Sequence, residues 1–217
     1  MRQEEYIESL VKDIEARKIW DRVIAIDLET DCRNKDFLSN ERILAIGVAY
    51  FKEDKKINFQ IFRLEEDSDE SEVRLLQEFD EFLRLKHPLV VTGFHLRQYD
   101  VPLLALKKSY YSKKKIVFWK IGNLIDNTFH FELSSYIQDY MKNRCDEKFQ
   151  RWSLERLVNH KCFETLPLLR SKSVIENDVN KGEEIYNLWK NRNPIFEEYL
   201  KGDVHDPLIL MHEIFKE

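Results

Sequence analysis

The stretch VIAIDLETD, residues 23–31, decides the fold. Four apolar residues, mostly β-branched, lead straight into Asp27 and Glu29. A short run of this kind reads as a buried strand. Alternate residues of a strand share a face, so the two carboxylates project together from its end. Like charges beside a dry core repel, and something must hold them.

Working outward, ILAIGVAYF (43–51) and KINFQIFRL (56–64) read as the second and third strands, joined by the hairpin turn KEDKK (52–56). The acidic run EEDSDESE (65–72) leads into and caps a helix that continues through VRLLQEFDEFLRL (73–85). HPLVVTGF (87–94) is the fourth strand; Gly93 allows a turn into a helix over about residues 97–109. HFELSSYI (130–137) reads as a fifth strand. Beyond residue 142 the pattern is helical, through RWSLERLVNHKCF, NKGEEIYNLWKNR and NPIFEEYLKGDVHDPLILMHEIF. Asn193 caps the last helix, with Pro194 at its first position. Ahead of the first strand, Ile7, Leu10, Val11 and Ile14 fall at helical spacing, an amphipathic helix over residues 1–20. No repeat or Pro/Ser-rich linker divides the chain. The expectation is one α/β domain over residues 1–217, its mixed central sheet of about five strands flanked by helices on both faces.

A chain of 217 residues and 26.3 kDa, 43% hydrophobic with 14 Phe and 4 Trp, can build one real core. A net charge of −5 excludes a purely electrostatic nucleic-acid binder. It does not exclude an enzyme that meets nucleic acid through metal ions and a local basic strip. KKSYYSKKK (107–115) interleaves basic and aromatic residues as such a strip would, and equally as a solvated helix end would. Cys32, Cys145 and Cys162 lie far apart with no Cys-x-x-Cys pair, so neither a zinc site nor a disulfide framework is indicated. A reducing, cytoplasmic setting is expected. The charged N-terminus lacks a signal-peptide core, and no apolar run reaches the roughly 18 residues of a membrane span.

An Asp-x-Glu triplet alone is cheap among 40 acidic residues. Asp13–Glu15 is a second, on the charged N-terminal helix, where a solvated face explains it. Asp27 and Glu29 differ because they end a buried strand. In VVTGFHLRQYDVPLL (90–104), Asp100 stands near a helix start, where a carboxylate also suits the helix dipole. In EEYLKGDVHDPLIL (197–210), Tyr199 and Asp203 are spaced i, i+4 and share a helix face. Asp206 lies on that face too and rivals Asp203.

Taken in order, Asp27-x-Glu29, GFHLRQYDVP around Asp100, and Tyr199-xxx-Asp203 resemble the three motifs of the DEDD 3′–5′ exonucleases. The nearest form is the tyrosine subtype found in the proofreading domain of family B DNA polymerases. RWSLERLVNHKCF is similar to the helix that family places between its second and third motifs, and the resemblance runs from about residue 22 to residue 215. One departure is His95, where the family usually carries Asn. His95 and Asp100 fit the His-xxxx-Asp spacing of the histidine subtype, but at the third motif Glu198 stands where that subtype has His, so the tyrosine subtype is kept.

The resemblance implies a ribonuclease H-like fold and a stand-alone nuclease domain with no polymerase attached. It implies two Mg²⁺ or Mn²⁺ ions held by Asp27, Glu29, Asp100 and Asp203, with Asp27 bridging and Tyr199 orienting the attacking water. Leu28, Thr30, His95 and Tyr99 would contact the substrate, the 3′ end of single-stranded or frayed DNA. Nucleoside 5′-monophosphates would be released. The same chemistry on RNA is the alternative among enzymes, since discrimination rests on contacts to the 2′-hydroxyl. An inactive exonuclease-like module that binds nucleic acid or protein is the alternative outside them. Electrostatics asks for cations independently. At ~5 Å and an effective dielectric of ~20, each carboxylate pair repels by about 3 kcal/mol. Hard oxygen donors select Mg²⁺ or Mn²⁺ over zinc.

Overall fold

In the computed structural model, which describes residues 20–33, 41–52, 56–148, 150–170 and 181–214 together with Ser9, Lys12 and Ile14, the opening stretch is the central strand of a sheet. This strand, β1 (Val23–Thr30), runs antiparallel to β2 (Ile43–Phe51), which runs antiparallel to β3 (Ile57–Arg63). On its other edge β1 is parallel to β4 (Val90–Gly93), and β4 is parallel to β5 (Phe129–Glu132). The order β3-β2-β1-β4-β5 is the mixed sheet expected from the sequence. Strands covered on both faces read as unbroken apolar runs rather than alternation. Every residue of β2 is buried accordingly.

One face carries α1 (Asp69–Lys86), α2 (Asp100–Lys113), α3 (Trp119–Asn127) and part of α6 (Lys181–Lys190). Here Ile24, Ile26 and Leu28 of β1 join a core with Leu75, Phe79, Leu103, Leu124 and Trp189. The other face is covered by α4 (Leu133–Arg144), α5 (Leu154–Val158) and α7 (Pro194–Ile214), where Val23, Ala25 and Ala49 meet Ile137, Leu157 and Leu208. The caps follow the sequence. Ser68 Oγ accepts the Ser71 N–H at 3.2 Å ahead of an acidic first turn. Asn193 Oδ1 accepts the Ile195 N–H at 3.0 Å just before Pro194. Among the described residues no helix is long and apolar enough to cross a membrane.

The sequence reading needs several corrections. HFELSSYI is not one strand: β5 stops at Glu132, whose side chain accepts the Ser134 N–H at 3.2 Å and caps α4. RWSLERLVNHKCF forms the short α5 and a 3₁₀ turn, Lys161–Phe163, rather than a continuous helix. The second long helix starts at Asp100, because residues 94–99 form a turn in which His95 is left-handed, at φ 67°. Gly93 is not that turn's special residue. It ends β4, where a Cβ would lie 2.8 Å from the Ile26 carbonyl oxygen. Part of the basic strip is engaged within the fold. Lys107 pairs with Glu72 at 2.8 Å, Lys114 pairs with Asp69 at 2.6 Å, and the buried Tyr111 hydroxyl donates to Glu72 at 2.6 Å. It ties α2 to the acidic first turn of α1. The expected N-terminal helix falls almost wholly outside the described residues, as does most of the KEDKK turn.

Candidate active site

The last part of β1 presents Asp27 and Glu29 to the face on which α7 lies. Gly47 is what lets that helix come close. It sits directly across from Asp27 on β2, and a Cβ there would be 2.7 Å from Leu200 Cγ and 3.2 Å from Val204 Cγ1. Leu200 and Val204 follow Tyr199 and Asp203 in sequence, so the same approach carries Tyr199 and Asp203 to the strand's acids. Between Glu29 and Thr30 the register with β2 shifts, a bulge of the kind that re-aims side chains at a strand end. Asp27, Glu29 and Asp203 thereby each offer a carboxylate oxygen, all within 4.8 Å of one another. Asp27 is half-buried and the other two are buried.

Asp100, the first residue of α2, adjoins this trio. Its Oδ1 accepts the Leu28 N–H at 3.0 Å. With Asp27 it lines a cavity of about 320 Å³, shared with Phe94, His95, Gln98, Tyr99 and Arg151. Burial, and then the charge on Asp27, hold the Asp100 carboxyl well above the usual carboxylate range. Tyr199 is buried beside the cluster and hydrogen-bonded to Asp203. Burial and the charges of Glu29, Asp203 and Asp27 push its phenol far up, so it stays protonated at any working pH.

The remaining predicted residues fall around this centre. Thr30 Oγ1 donates to Glu41 Oε2 at 2.9 Å and lies 2.6 Å from the Tyr99 hydroxyl, which itself bonds Glu41. His95 lines the cavity, and its backbone N–H donates to Glu132 Oε1 at 2.9 Å. Leu28 is packed into the core, and its backbone N–H is what reaches Asp100. Asp206, the rival acid, accepts the backbone N–H groups of Leu169 and Arg170 at 2.8 and 3.0 Å and sits 2.8 Å from His205 Nδ1. It holds chain in place, and Asp203 is the acid that meets Asp27 and Glu29.

Three functional candidates were not foreseen. Glu41 locks Thr30 and Tyr99 together. Glu132 clamps the turn before Asp100 by accepting the N–H groups of both His95 and Arg97, the latter at 2.8 Å. Arg151 brings a cation to an otherwise acidic cavity. Only Arg151 had a signal, a basic residue beside a Trp in a segment already singled out.

A mixed sheet whose central strand ends in paired acids, joined by one acid from each of two helices, defines an exonuclease-type domain of the ribonuclease H-like fold. The family described as "Predicted 3'-5' exonuclease related to the exonuclease domain of PolB" matches residues 35–153, more than half the sequence, and the chain belongs to it. That stretch contains Asp100; Asp27, Glu29, Tyr199 and Asp203 lie outside it. The family B DNA polymerase of the hyperthermophilic archaeon Pyrobaculum calidifontis has a similar fold, with a TM-score of 0.63 and 18% identity. The likeness covers 88% of this chain and 24% of the polymerase chain. E. coli exonuclease I, solved with an oligonucleotide, overlaps more loosely, with a TM-score of 0.38 and 13% identity over 81% of this chain and 42% of its own. None of the curated proteins matches the chain.

Proposed function

We propose that the chain is a two-metal-ion 3′–5′ exonuclease that removes nucleoside 5′-monophosphates from single-stranded or frayed DNA. The observation that carries this reading is the convergence of Asp27, Glu29 and Asp203 within 4.8 Å, with Asp100 on the same cavity. The donor set fits hard divalent cations: oxygen ligands brought together where burial, and then the charge on Asp27, hold the Asp100 carboxyl above the usual carboxylate range. Asp27, Glu29 and Asp203 would hold one Mg²⁺ or Mn²⁺, and Asp27 with Asp100 the second. When bound, such a pair supplies an activated water and stabilises the leaving 3′ oxygen.

The chain's own groups have separate tasks. Tyr199 keeps its proton and orients the water through its hydroxyl, so it is not a general base. Tyr99, fixed by Glu41 and Thr30, holds the terminal nucleotide with His95 beside it, while the Leu28 side chain, packed in the core, takes no part. Arg151, on the lining of the same cavity, offers the phosphate a cation. The family's relation to a DNA polymerase domain favours DNA over RNA.

The test uses DNA and RNA single strands, labelled at either end, incubated with Mg²⁺, Mn²⁺ or EDTA beside an Asp27→Ala variant. Metal-dependent laddering of DNA from the 3′ end, lost in the variant, is expected. Equal degradation by both proteins, or none by the wild type with either metal, overturns the proposal.

A further inference from the structure

Cys145 closes the end of α4, and Cys162 lies in the 3₁₀ turn that His160 caps. The two sulfurs and an imidazole nitrogen come within 4.8 Å of one another, and all three cysteines of the chain are free thiols. We propose that Cys145, His160 and Cys162 hold a structural Zn²⁺ that staples the segment between them. Thiolate and imidazole donors select zinc over the hard cations suited to the carboxylate cluster, so the two sites sort different metals. Zn–S bonds of about 2.3 Å and Zn–N bonds of about 2.0 Å set tetrahedral donors roughly 3.4–3.8 Å apart, so donors within 4.8 Å of one another need close by at most about 1.4 Å. Each thiol releases its proton to solvent as its sulfur bonds the metal, and water takes the fourth corner.

The surroundings suit that role. Glu147 Oε1 lies 3.1 Å from His160 Nε2, the carboxylate-on-imidazole contact that orients ligating histidines. A ring held this way offers Nδ1, which now accepts the Cys162 backbone N–H at a long 3.2 Å, a contact the cation would replace. Asp146 is left-handed at φ 53°, turning the chain between Cys145 and Glu147. Among the described residues from 145 to 153 there is no regular helix or strand. Arg151 lies in that segment, and the next residue, Trp152, packs edge-on against His160 with ring centroids 5.5 Å apart. A metal at His160 therefore steadies the loop that brings Arg151 to the acidic cavity. That last link rests on the proposed nuclease function; the metal site does not.

The test is cobalt titration of reduced, chelator-stripped protein. The wild type should develop thiolate-to-cobalt charge-transfer absorption that saturates at one equivalent and is displaced by Zn²⁺. Carboxylates cannot give that band, so Asp27→Ala keeps it, whereas Cys145→Ser and Cys162→Ser lose it. In the wild type, Zn²⁺ should slow tryptic cleavage after Lys148 and Arg151 about tenfold. No charge-transfer band in the wild type, an undiminished band in both serine variants, or cleavage indifferent to Zn²⁺ overturns the proposal. These readouts do not involve nuclease activity, so a failed nuclease assay and a failed zinc titration are told apart.

Discussion

Replacing Gly47 by alanine tests whether the close approach of α7 builds the active site. The new Cβ would lie 2.7 Å from Leu200 Cγ and 2.9 Å from Leu200 Cδ1. Apolar carbons rest about 3.5–4.0 Å apart, so roughly 1 Å must be found. Leu200 is fully buried, so either it leaves its rotamer or the helix moves. Overpacking of this kind costs about 1–3 kcal/mol, which in a domain of this size lowers Tm by roughly 2–12 °C. Moving Tyr199 and Asp203 by about 1 Å relative to Asp27 and Glu29 costs on the order of 100-fold in rate. That equals about 2.7 kcal/mol of transition-state stabilisation. The assay is kcat/KM for release of the 3′ nucleotide from a labelled single strand, with a thermal melt on the same preparation. Leu200→Ala alone should destabilise by about 2–5 kcal/mol. Placed in the Gly47→Ala background it removes the clashing Cγ, so the pair should couple and regain activity over Gly47→Ala. Gly47→Ala with kcat/KM within twofold of the wild type would refute the reasoning.

Three further outcomes follow from the site. Tyr199→Phe should lower kcat about tenfold or more at unchanged KM, since only the water-orienting hydroxyl is lost; a change confined to KM in the same single-strand assay contradicts that role. Asp100 is the group for a pH test. A carboxyl whose folded pKa is raised binds more protons folded than unfolded, so metal-free stability falls as pH rises from about 4 through the raised value. Asp100→Asn should therefore melt above the wild type in EDTA at pH 7, gain less from Mg²⁺, and lose its advantage near pH 4; equal melts at pH 7 count against the assignment. Glu132→Gln sets an amide N–H₂ against a backbone donor, either His95 or Arg97, at a cost of about 1–3 kcal/mol. Both Tm and kcat/KM should drop, and an unchanged kcat/KM would show that the turn does not depend on this clamp.

Much of this was legible because burial on both faces writes itself as apolar runs. β1 and β2 could be read directly, and with them the place of Asp27 and Glu29. The acidic run 65–72 and the cap at Asn193 marked the starts of α1 and α7, and spacing along α7 set Tyr199 and Asp203 on one helix face. Asp203 was already preferred through its Tyr-xxx-Asp spacing, and packing adds what the sequence could not show, that Asp206 on the same helix face is taken up by the backbone N–H groups of Leu169 and Arg170. HFELSSYI misled because its alternation continues past Glu132, where a side-chain cap overrides it. The helix α3 is short and carries Gly122, so it has weak local preference and owes its shape to packing. Cys145, His160 and Cys162 gave no signal because irregular chain, not a fixed spacing, brings them together. The basic strip was visible as composition, but its acidic partners on α1 were not.

The central claim is that acids from β1, α2 and α7 share two cations, and manganese anomalous diffraction on crystals grown with Mn²⁺ tests it most directly. Two peaks about 3.5–4 Å apart are predicted, one among Asp27, Glu29 and Asp203 and the other between Asp27 and Asp100. Peaks absent from these four carboxylates, or a single ion that leaves Asp27 uncoordinated, would contradict the account.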